Sequence, residues 1–291
     1  MKILIIGGTG MLGHKLVQVW QKKYDVWTTI RGNFGSCEKY NIFDKTKTFE
    51  NLNIENIEAL ESVVEIVKPD VILNAVGIIK QVRLAKNVVK TLTVNSIFPH
   101  RLAEISKKYN SYLINISTDC VFNGAKGNYK ETDVADAFDL YGRSKNLGEV
   151  IDENCLTIRT SIIGRELNTK HSLVEWFLSN RGREVKGFIN AIFSGFPTIV
   201  LAEVISELIA RKNRLEGLYH VSSEPINKFE LLCLLKDEYK IDIEIKPFEE
   251  FKIDRSLNSE KFRKAVGFQP IDWRKMVKLM VNDQFAYEKY K

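Results

Sequence analysis

Cysteine is scarce in this chain, and its four cysteines lie far apart in the sequence. No two of them have the spacing of a metal-binding or redox pair, which argues against a cysteine-based zinc or disulfide-exchange motif. We therefore expect free thiols, no metal site and a reducing compartment for Cys37, Cys120, Cys155 and Cys233.

Long apolar runs are absent as well, since none approaches the ~20 residues of a membrane-spanning helix. The apolar stretch at residues 1–7 is too short for a signal peptide and runs into glycines instead of a cleavage site. We therefore expect a cytoplasmic protein with no membrane partner.

A concentrated basic region is also missing. The formal net charge is +6, but lysine and arginine are spread along the chain without a stripe of interleaved aromatic residues. Nucleic acid is therefore not an expected partner, whereas a mild positive excess suits an anionic small substrate. With 291 residues, 44% apolar and 27% charged, the chain has the composition of a soluble globular protein of one or two domains.

A glycine-rich loop follows the first apolar segment. Residues 2–7 have the isoleucine-rich pattern of a buried parallel strand, and a helical pattern begins after Gly13. A loop with G-x-x-G-x-x-G spacing between a strand and a helix lets the backbone approach a pyrophosphate at the helix N-terminus. We therefore expect dinucleotide binding, and the alternative is a glycine-rich turn without a ligand. The expected contacts are Gly7, Thr9, Gly10, Met11, Leu12 and Gly13.

The end of the next predicted strand, residues 25–30, bears on the choice of cofactor. An acid there would accept from a ribose 2′-hydroxyl and repel a 2′-phosphate, but the chain has Arg31 and Asn33. Arg31 can pair with a 2′-phosphate, so we expect NADPH in preference to NADH, unless Arg31 is only a solvated loop charge. Residues 38–44 are expected to form a short third strand that brings Asn41 and Ile42 to the adenine.

Two further predicted strands end in small or polar residues. The first, residues 71–77, closes with Asn74, Ala75, Val76 and Gly77, and small residues there leave room for a cofactor. The second, residues 112–119, closes with Ser117, Thr118 and Asp119. The long helix expected over residues 84–108 contains Asn95, which either faces the site or is exposed.

A tyrosine and a lysine stand four residues apart at Tyr141 and Lys145. On a helix these positions share one face, so a phenol and an ammonium can enter one pocket. A nearby cation favours the phenolate, and the pair can then act as a general acid or base. A solvated helix face is the alternative for this spacing taken alone.

Taken together, these motifs resemble those of the extended short-chain dehydrogenases/reductases, and most closely the dTDP-4-dehydrorhamnose reductase group. The resemblance extends over nearly the whole chain. It rests on the glycine loop, Asn74-Ala75-x-Gly77, Ile116 to Gly124, Tyr129-x-Glu131, Tyr141-Gly142-x-Ser144-Lys145, Gly195 to Thr198, and Gly217 to Val221.

The resemblance implies roles for individual residues. Tyr141 would protonate the carbonyl oxygen, Lys145 would bind the nicotinamide ribose, and Thr118 would hydrogen-bond the reacting oxygen. The other implied cofactor contacts are Asn74, Ala75, Val76, Gly77, Asn95 and Ser117, and the implied substrate contacts are Lys80, Thr118, Asp119, Val121 and Arg255.

The implied activity is NADPH-dependent reduction of the C4 ketone of a nucleotide-linked 4-keto-6-deoxyhexose, for deoxysugar and surface-polysaccharide biosynthesis. The alternatives are an epimerase or dehydratase that holds NAD tightly, and a non-catalytic NADP-binding regulatory subunit. The sequence leaves open whether the chain forms a homodimer. The chain departs from the family pattern at Val76, at residues 78–82 and at Cys120, which leaves the sugar undetermined.

The implied fold class is α/β, a doubly wound parallel sheet of the Rossmann type with a smaller interleaved α+β lobe that binds substrate. We expect residues 1–163 to form the NADP-binding domain, with residues 190–221 returning to it, and residues 164–189 and 222–291 to form the lobe. His220, on a late strand, is expected to be a core residue.

Overall fold

Strands and helices alternate along the first half of the chain. The computed structural model describes residues 1–290. The strands of the described residues are β1 Lys2–Ile6, β2 Asp25–Thr29, β3 Thr48–Phe49, β4 Val71–Asn74, β5 Tyr112–Thr118, β6 Cys155–Thr160, β7 Ile162–Ile163, β8 Glu184–Phe188, β9 Ala191–Phe193, β10 Phe196–Pro197, β11 Gly217–His220, β12 Ile226–Asn227, β13 Glu244–Phe248 and β14 Ile253–Asp254.

The helices lie between these strands or, for the last two, after them. They are α1 Gly13–Trp20, α2 Gly35–Glu38, α3 Ile57–Val67, α4 Val88–Leu92, α5 Phe98–Lys108, α6 Leu140–Leu147, α7 Leu173–Ser179, α8 Thr198–Ala210, α9 Lys228–Tyr239, α10 Glu260–Val266 and α11 Trp273–Val281.

The central sheet has the strand order β3-β2-β1-β4-β5-β6-β11 over the described residues. Strands β1 to β5 pair in parallel, as expected for a sheet built from strand–helix–strand units. The order reverses between β1 and β4, so this point is a topological switch where α/β sheets bind ligands. The predicted fold class is confirmed.

Both faces of this sheet are covered. On one face, Leu4, Ile6 and Leu113 pack with residues of α3 and α5 in one hydrophobic cluster. The neighbouring residues Ile3 and Ile5 point to the opposite face, because side chains alternate along a strand, and both are fully buried. Burial on both faces explains why these strands are continuous apolar runs.

Helix ends are set by local sequence. The Asn56 side chain accepts from the Ala59 amide at the start of α3, and Lys68, just before Pro69, ends that helix with φ of 50°. At the start of α6 the Asp139 carboxylate accepts from the Gly142 amide. This cap fixes where the helix that carries Tyr141 and Lys145 begins.

The chain divides into two units. The first contains Met1–Ser117, Phe138–Ile158 and Ala202–Leu218. The second contains Thr118–Ala137, Arg159–Leu201 and the residues from Tyr219 onward. Residues 118–137, 159–163, 190–201 and 219–221 thus belong to the second unit, whereas the predicted nucleotide-binding domain includes them.

The second unit contains small sheets in place of one large one. The sheet β12-β9-β14 is mixed, and β8 pairs in parallel with β13. Strand β13 begins at Glu244. Among residues 1–290, no helix is both long and apolar enough to span a membrane.

The predicted third strand at residues 38–44 is wrong. Helix α2 ends at Glu38, Asn41 has a positive φ of 51°, and the strand that pairs with β2 is β3, at Thr48–Phe49. The apolar side chains of Tyr40 and Ile42 are buried without being in a strand. A two-residue strand carries too little periodicity to be recognised from the sequence.

Candidate active site

The loop after β1 has the backbone that its glycines require. Gly7 has φ of 90°, a conformation that other residues rarely adopt, and the Gly10 amide donates to the Gly7 carbonyl at 3.1 Å. A Cβ atom on Gly13 would lie 2.1 Å from the Gly7 carbonyl oxygen. The close approach of α1 to this loop therefore depends on glycine at position 13, as the dinucleotide pattern requires.

A cavity of about 410 Å³ opens in the first unit beside this loop. Of the residues predicted to bind cofactor, Gly7, Arg31, Val76 and Gly77 line it. The other lining residues are Thr29, Leu52, Asn53, Ile54, Glu55, Ile78, Leu84, Lys90 and Val94. The walls thus come from residues near the carboxyl ends of β1, β2, β3 and β4, and from α4 and the turn before it.

Most of the other predicted cofactor contacts lie outside the lining of this cavity, among them Asn33, Asn41 and Ile42. The Asn33 side chain accepts from the Ser36 amide at 3.0 Å and so serves the start of α2. Asn41 is exposed, and Ile42 is buried. The lining residues that were not predicted include Asn53 to Glu55, which follow β3, and Lys90, whose ammonium pairs with Glu55 at 2.5 Å.

Asn74 and Asn95 are buried connectors. The Asn74 amide nitrogen donates to Asn115 at 2.9 Å, and its oxygen accepts from the Val76 amide at 3.1 Å. Asn95 accepts from the Ile78 amide at 2.8 Å and donates to the Ile78 carbonyl at 3.0 Å and to the Ser144 hydroxyl at 3.1 Å. The exposed alternative for Asn95 is therefore wrong, because its amide holds the loop after β4 against α6.

Asn95 also lies in an irregular part of its helix. The predicted helix over 84–108 consists of α4, a π-helical segment at Thr93–Ile97 and α5. Such π-bulges are frequent at functional sites. Here the segment brings the Asn95 amide to its three partners, which meet the cost of a buried polar side chain.

Tyr141 and Lys145 lie one turn apart on α6, as predicted. Lys145 is 5% exposed, and its ammonium donates to the Ile116 carbonyl at 2.8 Å. Burial lowers the pKa of Lys145 to about 8, and the charge of Glu149 opposes that change. An ammonium has three protons to donate, so this lysine can also bind hydroxyl groups.

Lys80, a predicted substrate contact, belongs to the surroundings of Tyr141. Its ammonium pairs with the Asp139 carboxylate at 2.7 Å and stands 5.5 Å from the centre of the Tyr141 ring. The Ser117 hydroxyl, at the end of β5, donates to the Glu149 carboxylate at 2.6 Å. The first unit thus places a phenol, a buried ammonium and a carboxylate around the end of β5 and the start of α6.

The second unit begins with the polar residues at the end of β5 and immediately after it. The Thr118 hydroxyl donates to the Asp119 carboxylate and accepts from the Cys120 amide, both at 3.1 Å. Asp119 is 7% exposed, and burial raises the pKa of its carboxyl, while the charges of Arg255 and Lys228 act in the other direction.

Arg255 is the residue after β14, and its charge acts on Asp119. Its Nε donates to the Phe122 carbonyl at 2.8 Å, and its Nη1 lies 3.7 Å from the Cys120 sulfur. Lys228, the first residue of α9, was missed by sequence analysis; burial lowers the pKa of its amine. Two cations from separate segments of the second unit therefore act on one buried carboxylate.

Other predicted residues of the second unit are structural. Val121 is fully buried in a cluster with Phe122, Tyr129 and Leu257. The Tyr129 carbonyl accepts from Nδ1 of His220 at 2.9 Å, and the Glu131 carboxylate accepts from the His220 amide at 2.8 Å. The Tyr129-x-Glu131 motif thus anchors β11 around a buried histidine.

His220 stays neutral in this environment. Desolvation, followed by the charge of Arg159, lowers the pKa of His220 to about 3. The Arg159 guanidinium lies 3.3 Å from Nε2 of the ring.

Among residues 1–290, no group of three or more histidine, cysteine, aspartate or glutamate side chains is arranged to hold a metal ion.

Curated relatives match most of the chain. A dTDP-4-dehydrorhamnose reductase of Aggregatibacter actinomycetemcomitans is 25% identical, and the match covers 95% of this chain and 97% of that protein. Methionine adenosyltransferase 2 subunit beta of Xenopus laevis is 23% identical over 82% of this chain and 72% of its own length. The chain is therefore similar both to a reductase and to a protein named as a subunit of another enzyme.

A solved structure has the same fold. The dTDP-4-dehydrorhamnose reductase of Bacillus anthracis, determined in complex with NADP, superposes with a TM-score of 0.78 at 23% identity, covering 96% of each chain. The family described as "RmlD substrate binding domain" matches residues 1–285. This match spans nearly the whole chain and agrees with the motifs, the seven-stranded sheet and the Tyr141–Lys145 pair, so the protein belongs to the RmlD family and has the extended short-chain dehydrogenase/reductase fold.

Proposed function

We propose that this protein reduces the C4 ketone of a nucleotide-linked 4-keto-6-deoxyhexose with NADPH, in the biosynthesis of a deoxysugar for surface polysaccharide. The observation that carries the proposal is the pair on α6. Tyr141 and the buried Lys145 lie one turn apart in a unit that also contains a glycine loop and a cavity at a topological switch point. Similarity to the bacterial reductases supports the substrate class.

The residues of the first unit fit a dinucleotide. The loop from Gly7 to Gly13 is packed so closely that a side chain at position 13 would clash with it. Val76 and Gly77 give small or apolar surface beside the loop. Arg31 lines the same cavity and suits a 2′-phosphate, and β2 is not followed by an acid. We therefore propose NADPH as the preferred cofactor, with NADH as the weaker one.

The chemistry that this cofactor supplies when bound is hydride transfer. Reduction of a ketone also needs a proton on the oxygen. Tyr141 donates that proton from its phenol, and Thr118 hydrogen-bonds the same oxygen. Lys145 holds the ribose hydroxyls with the donors that Ile116 leaves unused and keeps a positive charge beside the tyrosine.

Each unit contains residues that we propose as substrate contacts. In the first, Lys80 is held by Asp139 beside the Tyr141 ring and serves as a substrate contact. In the second, Arg255 binds the diphosphate of the nucleotide sugar, because a guanidinium matches phosphate oxygens, and Asp119 orients it. Ser117 is held by Glu149 and contributes to cofactor binding through the position of β5.

The proposal is tested by spectroscopic measurement of NADPH and NADH oxidation. Purified protein receives dTDP-, UDP- and GDP-linked 4-keto-6-deoxyhexoses, some pretreated with a 3,5-epimerase. We expect turnover with at least one sugar, faster with NADPH than with NADH. No turnover with any sugar, while NADPH binds, would contradict the reductase assignment.

A second candidate is a non-catalytic NADP-binding subunit, which is favoured by the similarity to methionine adenosyltransferase 2 subunit beta. This candidate requires NADPH binding without turnover by the isolated chain. It also requires a partner enzyme whose activity changes when the chain is added. The substrate panel therefore separates the two candidates, since only the reductase consumes NADPH alone.

A further inference from the structure

Lys145 is a buried cation, and a buried charge is costly unless another group compensates it. Its ammonium has one hydrogen-bond acceptor among residues 1–290, the Ile116 carbonyl at 2.8 Å. A neutral carbonyl compensates only part of the charge. A carboxylate near the ammonium is therefore needed to keep it protonated near neutral pH.

The charged and titratable groups around Lys145 come from three places. On its own helix stand Tyr141 and, just beyond the helix end, Glu149. From the loop after β4 comes Lys80, and its charge is already balanced by Asp139 at 2.7 Å. On β5 the neighbours are the neutral residues Ile116 and Ser117. Glu149 is the remaining carboxylate, and its negative charge favours the protonated form of Lys145.

Glu149 is held in a defined position. Its carboxylate accepts from the Ser117 hydroxyl at 2.6 Å, directly beside Ile116, the acceptor of Lys145. The preceding residue, Gly148, accepts from the Asn115 amide at 2.9 Å, and a Cβ atom there would lie 1.9 Å from the Asn95 carbonyl oxygen. The backbone before Glu149 is thus held by close packing, and the hydrogen bond from Ser117 holds its carboxylate.

We propose that Glu149 is a positioning residue of the reduction, which keeps Lys145 charged and fixes Ser117 at the end of β5. This inference rests on the proposed function for its consequence in catalysis, whereas the hydrogen bond between Ser117 and Glu149 is part of the structure itself. Lys145 then remains a cation over the physiological range, able to bind hydroxyl groups and to act on Tyr141.

Two substitutions separate the roles of the carboxylate. Glu149→Gln keeps an oxygen that accepts from Ser117 but removes the charge, whereas Glu149→Ala removes both. Glu153→Gln is the matched control, because Glu153 is an exposed carboxylate on the same segment. Thermal unfolding checks that each variant is folded.

The first measurement needs no substrate. The Cε resonance of Lys145, in lysine-labelled protein and assigned with Lys145→Met, is followed by NMR against pH. We expect Lys145 to titrate about one pH unit lower in both Glu149 variants and unchanged in Glu153→Gln. Titration of Lys145 at the wild-type pH in Glu149→Gln would overturn the proposal.

The second measurement is the pH profile of kcat for NADPH oxidation. On the alkaline side of the profile, the kcat of Glu149→Gln should begin to fall at a lower pH than the kcat of the wild type. At acidic pH the two proteins should have nearly the same kcat. A uniform loss at every pH would contradict the electrostatic role. If Lys145 titrates as expected and no variant, wild type included, turns over a sugar, the proposed function fails while the assignment of Glu149 stands.

Discussion

The two units of this protein carry their polar groups in different ways. In the first unit, the glycine loop and the Tyr141–Lys145 pair are each contained in one short segment. In the second, the carboxylate of Asp119 faces cations from the residue after β14 and from the start of α9. A short segment can be recognised from its sequence, whereas a group assembled from distant segments needs the fold.

The largest expected effect is on the phenol of the first unit. Tyr141→Phe removes the proposed proton donor and should lower kcat by about 10²–10⁴-fold with little change in folding. Tyr109→Phe, a matched change at a tyrosine whose hydroxyl donates to Glu61 at 3.3 Å, should leave kcat unchanged. Steady-state NADPH oxidation measures both, and equal activity of the two variants would remove Tyr141 from the mechanism.

The next effect concerns the second unit and acid. The folded-state pKa of His220 lies near 3, below the ordinary value of 6.5. As the pH falls below 6.5, the unfolded chain therefore binds more protons than the folded chain. Through His220, lowering the pH from 7 to 4 should therefore reduce the free energy of unfolding by about 3 kcal/mol. His220→Gln keeps a donor and an acceptor without a titratable ring. Urea unfolding should show a smaller loss at pH 4 for this variant than for the wild type, and an equal loss would contradict the prediction.

A comparable effect of opposite sign is expected in the first unit. Burial lowers the pKa of Lys145 to about 8 from 10.5, so the protonated lysine destabilises the fold below pH 8, and stability recovers as pH rises toward 10.5. Lys145→Met should raise the free energy of unfolding at pH 7 by up to about 3 kcal/mol while abolishing turnover. Denaturant unfolding at pH 7 measures this change. A variant less stable than the wild type would show that the ammonium contributes to folding.

The smallest effect concerns cofactor choice. Arg31 is exposed, so its contact with a 2′-phosphate is partly screened by solvent. Arg31→Ser should weaken NADPH binding by about tenfold and NADH binding by less than about twofold. Lys22→Ser, an exposed cation outside the cavity, is the control. Fluorescence titration measures both affinities. An equal loss of affinity for NADPH and NADH would show that Arg31 does not recognise the 2′-phosphate.

Much of the first unit could be predicted from sequence because its signals are local. The strand–glycine–helix start and the helix with Tyr141 and Lys145 need only a few neighbouring residues. The wall of the cavity at Asn53 to Glu55 was missed, because it depends on where β3 pairs with β2. Residues 38–44 carry buried apolar side chains in a helix end and a loop, which periodicity over so short a stretch cannot distinguish from a strand.

The second unit was less predictable for a physical reason. Its sheets are made of short strands, such as β12 and β14, which pair with β9 from far along the chain. Lys228 carries no motif, and only the fold shows that its charge acts on Asp119. Tyr129-x-Glu131 was recognised as part of a family resemblance, but its role in holding His220 required the hydrogen bonds themselves.

The most direct test of the proposed reduction is isotope transfer. The protein is incubated with a 4-keto-6-deoxy nucleotide sugar and NADPH carrying deuterium at the transferable position, and the product is examined by NMR. The account predicts deuterium on C4 of the sugar, in an amount equal to the NADPH oxidised, and almost none with Tyr141→Phe. A product without deuterium at C4, or a sugar changed without net oxidation of NADPH, would contradict the reductase and favour an epimerase-type reaction.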